Sequence, residues 1–136
     1  MKKYIIIGVM IIVAIPLVWL LISAISNPLT RSEEQIRNDL LKVTPIGTSM
    51  EDVIAAIEGH EKWKIFHINE NRGYKINSDG TLRRSWHSGG YITIGEKSLD
   101  VELGKGIITS YVGAWYGFDE NSSLIDITIF KELDLP

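Results

Sequence analysis

Three histidines, His60, His67 and His87, are the residues of this chain best suited to acid–base chemistry or metal binding. None belongs to a His-Glu-x-x-His motif and the chain contains no cysteine, so no zinc-site pattern is present. His87 and Ser88 place a base beside a hydroxyl group, but a hydrolase also needs an orienting group and an oxyanion hole. We therefore predict no catalytic residue, no metal and no cofactor; a small hydrolase using His87 is the least favoured alternative.

The segment around His87 concentrates positive charge beside an aromatic ring, since it also contains Arg83, Arg84 and Trp86. Arginine and aromatic residues are enriched where proteins bind one another. We predict that these four residues form a contact point for an acidic partner or ligand. The alternative is a solvated loop.

The turn "DENSS" has part of the spacing of a calcium-binding loop. Asp119, Asn121 and Ser123 stand where the first ligands of an EF-hand would, but Leu124 replaces the required Gly and Phe130 replaces the bidentate Glu. We therefore predict a turn that joins two strands and binds no calcium.

The aromatic residues before this turn cannot all enter one core. Successive side chains of a strand point to opposite faces, so Trp115 and Tyr116 must separate. With Tyr116 in the core, Tyr111 and Trp115 lie on the outer face with Phe130 of the neighbouring strand, and we predict that this face binds a partner. One alternative is that the two faces are reversed. The other is that the loop formed by residues Asn77 to Gly90 folds over the outer face and covers it.

Two helices precede the strands. In the first, Ser32 is the predicted N-cap with Gln35 completing a capping box, and Ile36, Leu40 and Val43 form one apolar stripe.

The second helix has its own start and stop signals. Thr48 and Glu51 match a capping box, and Gly59 ends the helix. Its apolar face comprises Met50, Val53, Ile54 and Ile57.

Turn signals from Trp63 onward separate short runs rich in Ile, Tyr, Trp and Val, which is typical of antiparallel strands. The predicted core positions alternate along two of these runs: Leu99, Val101 and Leu103, then Ile125, Ile127 and Ile129. The predicted fold is α+β, with two helices packed on one face of an antiparallel meander sheet.

An apolar segment opens the chain, because Tyr4–Ile25 contains no charged residue. Roughly 20 apolar residues span a bilayer, so we predict a transmembrane anchor over residues 1–26 and an extracytoplasmic domain over residues 27–136. Lys2 and Lys3 before the segment place the N-terminus in the cytoplasm and the domain outside the cell membrane. The alternative is a cleaved signal peptide.

The exported part is acidic, since the chain has 14 basic against 17 acidic residues and two of the basic ones precede the anchor. Nucleic acids are bound chiefly through Lys and Arg, so no nucleic-acid partner is expected.

Three stretches, "PIGTSMEDVIAAIE", "GEKSLDVELGK" and "WYGFDENSSLIDITIFKELD", resemble a family of small bacterial membrane-anchored or secreted proteins. At the level of fold, the chain is similar to the SmpA/OmlA (BamE-like) envelope modules and to β-lactamase-inhibitor-like domains. The resemblance implies a non-enzymatic, protein-binding module. The chain departs from the outer-membrane lipoproteins because it lacks the lipid-attachment cysteine.

These observations together predict a membrane-anchored adaptor of the bacterial cell envelope that binds a protein partner at the outer face of the membrane. The alternative is an immunity or inhibitor protein against an exported toxin or hydrolase.

Overall fold

The computed structural model describes residues 29–78, 90–106 and 110–133, and it confirms an α+β fold with two helices and an antiparallel sheet. In chain order the elements are α1 (Glu33–Val43), α2 (Met50–Glu58), β1 (Lys64–Asn69), β2 (Tyr74–Asn77), β3 (Tyr91–Ile94), β4 (Lys97–Lys105), β5 (Ser110–Phe118) and β6 (Leu124–Leu133). Within these ranges no helix is long and apolar enough to cross a membrane. The predicted anchor Tyr4–Ile25 lies outside them.

The strands form two sheets, where a single meander was predicted. Strands β4, β5 and β6 are consecutive neighbours, but β1 pairs directly with β4, and β2 pairs only with β3. The pairing of β1 with β4 places Ile65 opposite Val101, so both contribute to the core. The β2–β3 hairpin is therefore an insertion between two neighbouring strands of the main sheet.

The core lies between the two helices and one face of the four-stranded sheet. Tyr116, Phe118 and Leu124 are fully buried there, in a single cluster with buried residues of both helices. Its other members are Ile36, Leu40, Met50, Val53, Ile57, Leu99, Val101, Leu103, Val112, Ala114, Ile127 and Ile129. The predicted inner faces of β4 and β5 are thus confirmed at these positions.

Two predicted core positions are wrong. Val43 is 56% exposed because α1 ends at this residue, where the buried Thr44 caps the helix on the carbonyl group of Leu40. Ile125 is 41% exposed because the register shifts between Gly117 and Phe118, and this bulge makes Ile125 an extra residue in β6.

The capping box of α1 is confirmed, since the Ser32 side chain accepts from the Gln35 N–H and the Gln35 side chain accepts from the Ser32 N–H. Helix α1 also covers the free edge of β6. The Arg37 guanidinium donates to the carbonyl oxygen of Ile127 at 2.9 Å and to Asp126 at 2.7 Å. A covered edge is protected from pairing with another chain.

The predicted cap of α2 is displaced by one residue. Ser49, and not Thr48, is the N-cap, because its hydroxyl oxygen accepts from the Asp52 N–H at 3.1 Å. The Thr48 hydroxyl instead donates to the carbonyl oxygen of Pro45 at 2.6 Å. The backbone carbonyl group of Thr48 accepts from the Leu124 N–H at 2.8 Å, so this residue is held beside the start of β6.

We expect Ser49→Ala to lower the free energy of unfolding by about 1 kcal/mol, the usual effect of removing an N-cap side chain. Thr48→Ala is the matched control and is expected to have a smaller effect, because its hydroxyl bond lies in the exposed turn before the helix. Urea denaturation of both variants measures the difference. A larger loss for Thr48→Ala would contradict the assigned cap.

The turn between β5 and β6 is held by its own side chains. One carboxylate oxygen of Asp119 accepts from the N–H groups of Asn121 and Ser123, both at 2.9 Å. Ser122 has a φ of 63°, and its hydroxyl accepts from the Lys97 ammonium at 2.6 Å. Its carbonyl oxygen accepts from the Met50 N–H at 2.8 Å, so the turn also joins the sheet to the start of α2.

Candidate functional site

Five aromatic rings form a continuous line across the sheet face that points away from the helices, and we call it the aromatic row. Its members, in spatial order, are Phe66, Tyr111, Phe130, Trp115 and Tyr74. Successive ring centroids are 6.0, 5.5, 5.3 and 5.6 Å apart, within the range of favourable aromatic pairs. The three predicted outer-face residues, Tyr111, Trp115 and Phe130, are therefore brought together.

The register of β5 and β6 sets the geometry of the row. Phe130 lies opposite Gly113, and its ring covers this glycine so closely that a Cβ atom there would collide with it. The missing side chain lets the Phe130 ring lie between those of Tyr111 and Trp115. Glycine at 113 is thus a requirement of the row.

The β2–β3 hairpin covers one end of the row. Tyr74 is only 6% exposed, and its hydroxyl group forms a 2.8 Å hydrogen bond with the hydroxyl group of Thr128. Burial raises the pKa of Tyr74 above its ordinary value, so this phenol stays neutral. At the other end Phe66 is 51% exposed. The row therefore runs from a covered end to an open end on edge strand β1.

A pocket of about 450 Å³ lies beside the covered end. It is lined by His67, Asn69, Arg72, Gly73, Tyr74, Lys75, Ser98, Leu99, Asp100 and Trp115. Asp100 stands opposite both His67 of β1 and Trp115 of β5. We call it the Asp100 pocket.

The Asp100 carboxyl group is in an unusual environment. Its Oδ1 atom is buried and has no hydrogen-bond partner among the residues that the structure describes. Burial raises the pKa of this group, while the neighbouring Trp115 and His67 side chains oppose the rise. A donor that reached Oδ1 would be stabilising, since buried polar groups are normally paired.

Charges of both signs lie along the row: Lys64 Nζ is 5.9 Å from the ring centroid of Phe66, whereas carboxylates lie near Tyr111. The pKa of Tyr111 is raised by burial first and then by the negative charges of Asp100, Glu102 and Glu132. None of these three carboxylates forms an ion pair with another described residue. The negative charge beside Tyr111 favours a partner group that brings positive charge to this part of the row.

Sequence reasoning missed three residues of the site: Phe66, Tyr74 and Asp100. Phe66 lies at a bulge between Ile65 and His67, and its ring contacts that of Tyr111 on the outer face. The sequence "KIFHIN" predicts a strand but not this bulge. The position of Tyr74 depends on how the β2–β3 hairpin folds back onto the main sheet. Asp100 could have been found, because it occupies the polar side of the alternating run "SLDVEL".

The predicted contact residues Arg83, Arg84, Trp86 and His87 lie outside the described residues, so their role stays a prediction. Comparison with known proteins adds no further assignment: no protein-family model, curated protein or solved structure matches this chain. The proposals below accordingly rest on the aromatic row and the Asp100 pocket.

Proposed function

We propose that the protein is a membrane-anchored, extracytoplasmic binding module of the bacterial cell envelope, non-catalytic, that recruits a protein partner through the aromatic row. The observation that carries this proposal is the continuous contact of five rings on the face opposite the helices. The core on the other face is complete without them, since all its members come from the helices and the inner face of the sheet.

Aromatic side chains suit protein recognition because they bury a large area with few rotatable bonds. The open end of the row at Phe66 provides exposed apolar surface, and the carboxylates near Tyr111 form no ion pair with another described residue. Protein-binding surfaces combine these features, with aromatic anchors at the centre and polar groups at the rim. The predicted Tyr4–Ile25 anchor would hold this face at the outer side of the membrane.

The test is capture of a partner by the full-length protein in the cells that naturally produce it. Membranes are crosslinked and the tagged chain is recovered, either as wild type or with Tyr111→Ala and Trp115→Ala together. We expect the double variant to lose the partner, because each aromatic anchor typically contributes about 2 kcal/mol, or roughly thirtyfold in affinity.

Val43→Ala is the matched control, since Val43 is an exposed apolar residue of helix α1. Both variants are checked for a native unfolding transition before use. Phe66→Ala provides a milder change at the open end, for the case in which the double variant does not fold. Equal capture of the partner by all variants would contradict the assignment of the aromatic row as the binding surface. The identity of a captured protein would decide between an adaptor and an inhibitor.

A further inference from the structure

We propose that the Asp100 pocket receives a lysine or arginine side chain of the protein partner. This inference rests on the proposed function, because it names the chemistry by which the same face recognises its partner.

One oxygen atom of Asp100 lacks a hydrogen-bond partner among the described residues. This atom, Oδ1, is buried, and Asp100 lines a pocket of about 450 Å³. Leaving a buried acceptor unpaired costs free energy, and the cost is greater for a charged group. An ammonium or guanidinium group carries several donors and no acceptor, so it can satisfy this oxygen and neutralise the carboxylate at once.

The wall of the pocket is partly aromatic. The rings of Trp115 and Tyr74 line the pocket with their centroids 5.6 Å apart. Cations bind favourably over aromatic faces, most strongly over tryptophan. The methylene groups of a lysine or arginine side chain would pack along the same rings. A carboxylate beside aromatic walls therefore matches a long basic side chain.

His67, Arg72 and Lys75 can carry positive charge in this pocket, and they favour the opposite hypothesis of an acidic ligand. His67 lies opposite Asp100 on the paired strand. Lys75 is already engaged, because its Nζ lies 4.1 Å from the ring centroid of Tyr91. Arg72 is exposed and forms no ion pair with another described residue. An acidic ligand would need Arg72, whereas a basic ligand would be repelled by it. This difference makes Arg72 the residue that discriminates between the two charge classes.

The experiment is an NMR titration of the full-length protein in detergent micelles, and it requires no partner. The probes are Nα-acetyl-lysine N-methylamide, its arginine analogue, the neutral Nε-acetylated lysine analogue and Nα-acetyl-aspartate N-methylamide. The indole N–H resonance of Trp115, assigned by its absence in Trp115→Phe, reports directly on the pocket. We expect saturable shifts with the two basic probes only, with dissociation constants on the order of 1 mM.

Asp100→Asn keeps the shape and an acceptor for Trp115 but removes the charge, so we expect at least tenfold weaker binding of the basic probes. Arg72→Gln is expected to leave this binding unchanged or to strengthen it. Equal shifts with the neutral probe, unchanged binding to Asp100→Asn, or binding of the aspartate probe that depends on Arg72 would each overturn the inference. Failure here leaves partner capture by the aromatic row untouched, whereas failure of partner capture overturns the proposed function itself.

Discussion

Replacement of Phe118 by alanine is expected to lower the free energy of unfolding by about 3–5 kcal/mol, the usual cost of a buried Phe→Ala change. Phe118 is 0% exposed and ends β5 inside the core. Its carbonyl oxygen accepts from the Glu96 N–H at 2.7 Å, and its backbone also pairs with Leu124. The side chain thus packs where the turn before β4 and the turn before β6 meet.

Urea denaturation of the full-length protein measures this loss, and Phe66→Ala is the matched control. The same atoms are removed there from a 51% exposed position on an edge strand, so a change of at most about 1 kcal/mol is expected. Comparable losses in the two variants, or a loss at Phe118 below about 1 kcal/mol, would contradict the assigned core.

The second large effect is expected for Gly73→Ala. A Cβ atom at this position would collide with the backbone carbonyl groups of Ile94 and Gly95, which cannot rotate away as a side chain can. The start of β2 and the end of β3 must then separate, which displaces Tyr74 from its hydrogen bond to Thr128 and from its ring contact with Trp115. Overpacking of this kind typically costs 1–3 kcal/mol, and about that loss is expected here.

The four-stranded sheet does not include the hairpin, so Gly73→Ala should leave its protection from hydrogen exchange intact while exposing the amides of β2 and β3. Gly90→Ala is the control, because nothing lies within 4 Å of a Cβ atom at that position. If both variants kept full protection in β2 and β3, the close approach of Gly73 to the end of β3 would be wrong.

Sequence patterns predicted the helix features correctly wherever all the interacting groups are close in sequence. The capping box of Ser32 and Gln35 and the buried positions of α2 are of this kind. The choice between Thr48 and Ser49 as N-cap is different, because both residue types can cap a helix. The choice of N-cap is decided by the backbone hydrogen bonds of Met50 with Ser122 and of Thr48 with Leu124, and these partners are distant in sequence.

Strand faces were predictable only where alternation is unbroken. Tyr111, Trp115 and Phe130 follow the period of two and lie on one face, as expected. Phe66 and Ile125 lie at bulges, and each bulge depends on which residues of the neighbouring strand are paired. The same dependence on register hid the Asp100 pocket, which exists only because β1, β4, β5 and the hairpin meet there.

The most direct test of the central claim is photo-crosslinking of the full-length protein in its own cells, with p-benzoyl-phenylalanine placed at position 66 or at position 43. Both residues are exposed and apolar, but Phe66 belongs to the aromatic row and Val43 to helix α1. A discrete crosslinked product from position 66 that is absent from position 43 is the expected result. No product from position 66, or the same product from both positions, would contradict a binding surface on the outer face of the sheet.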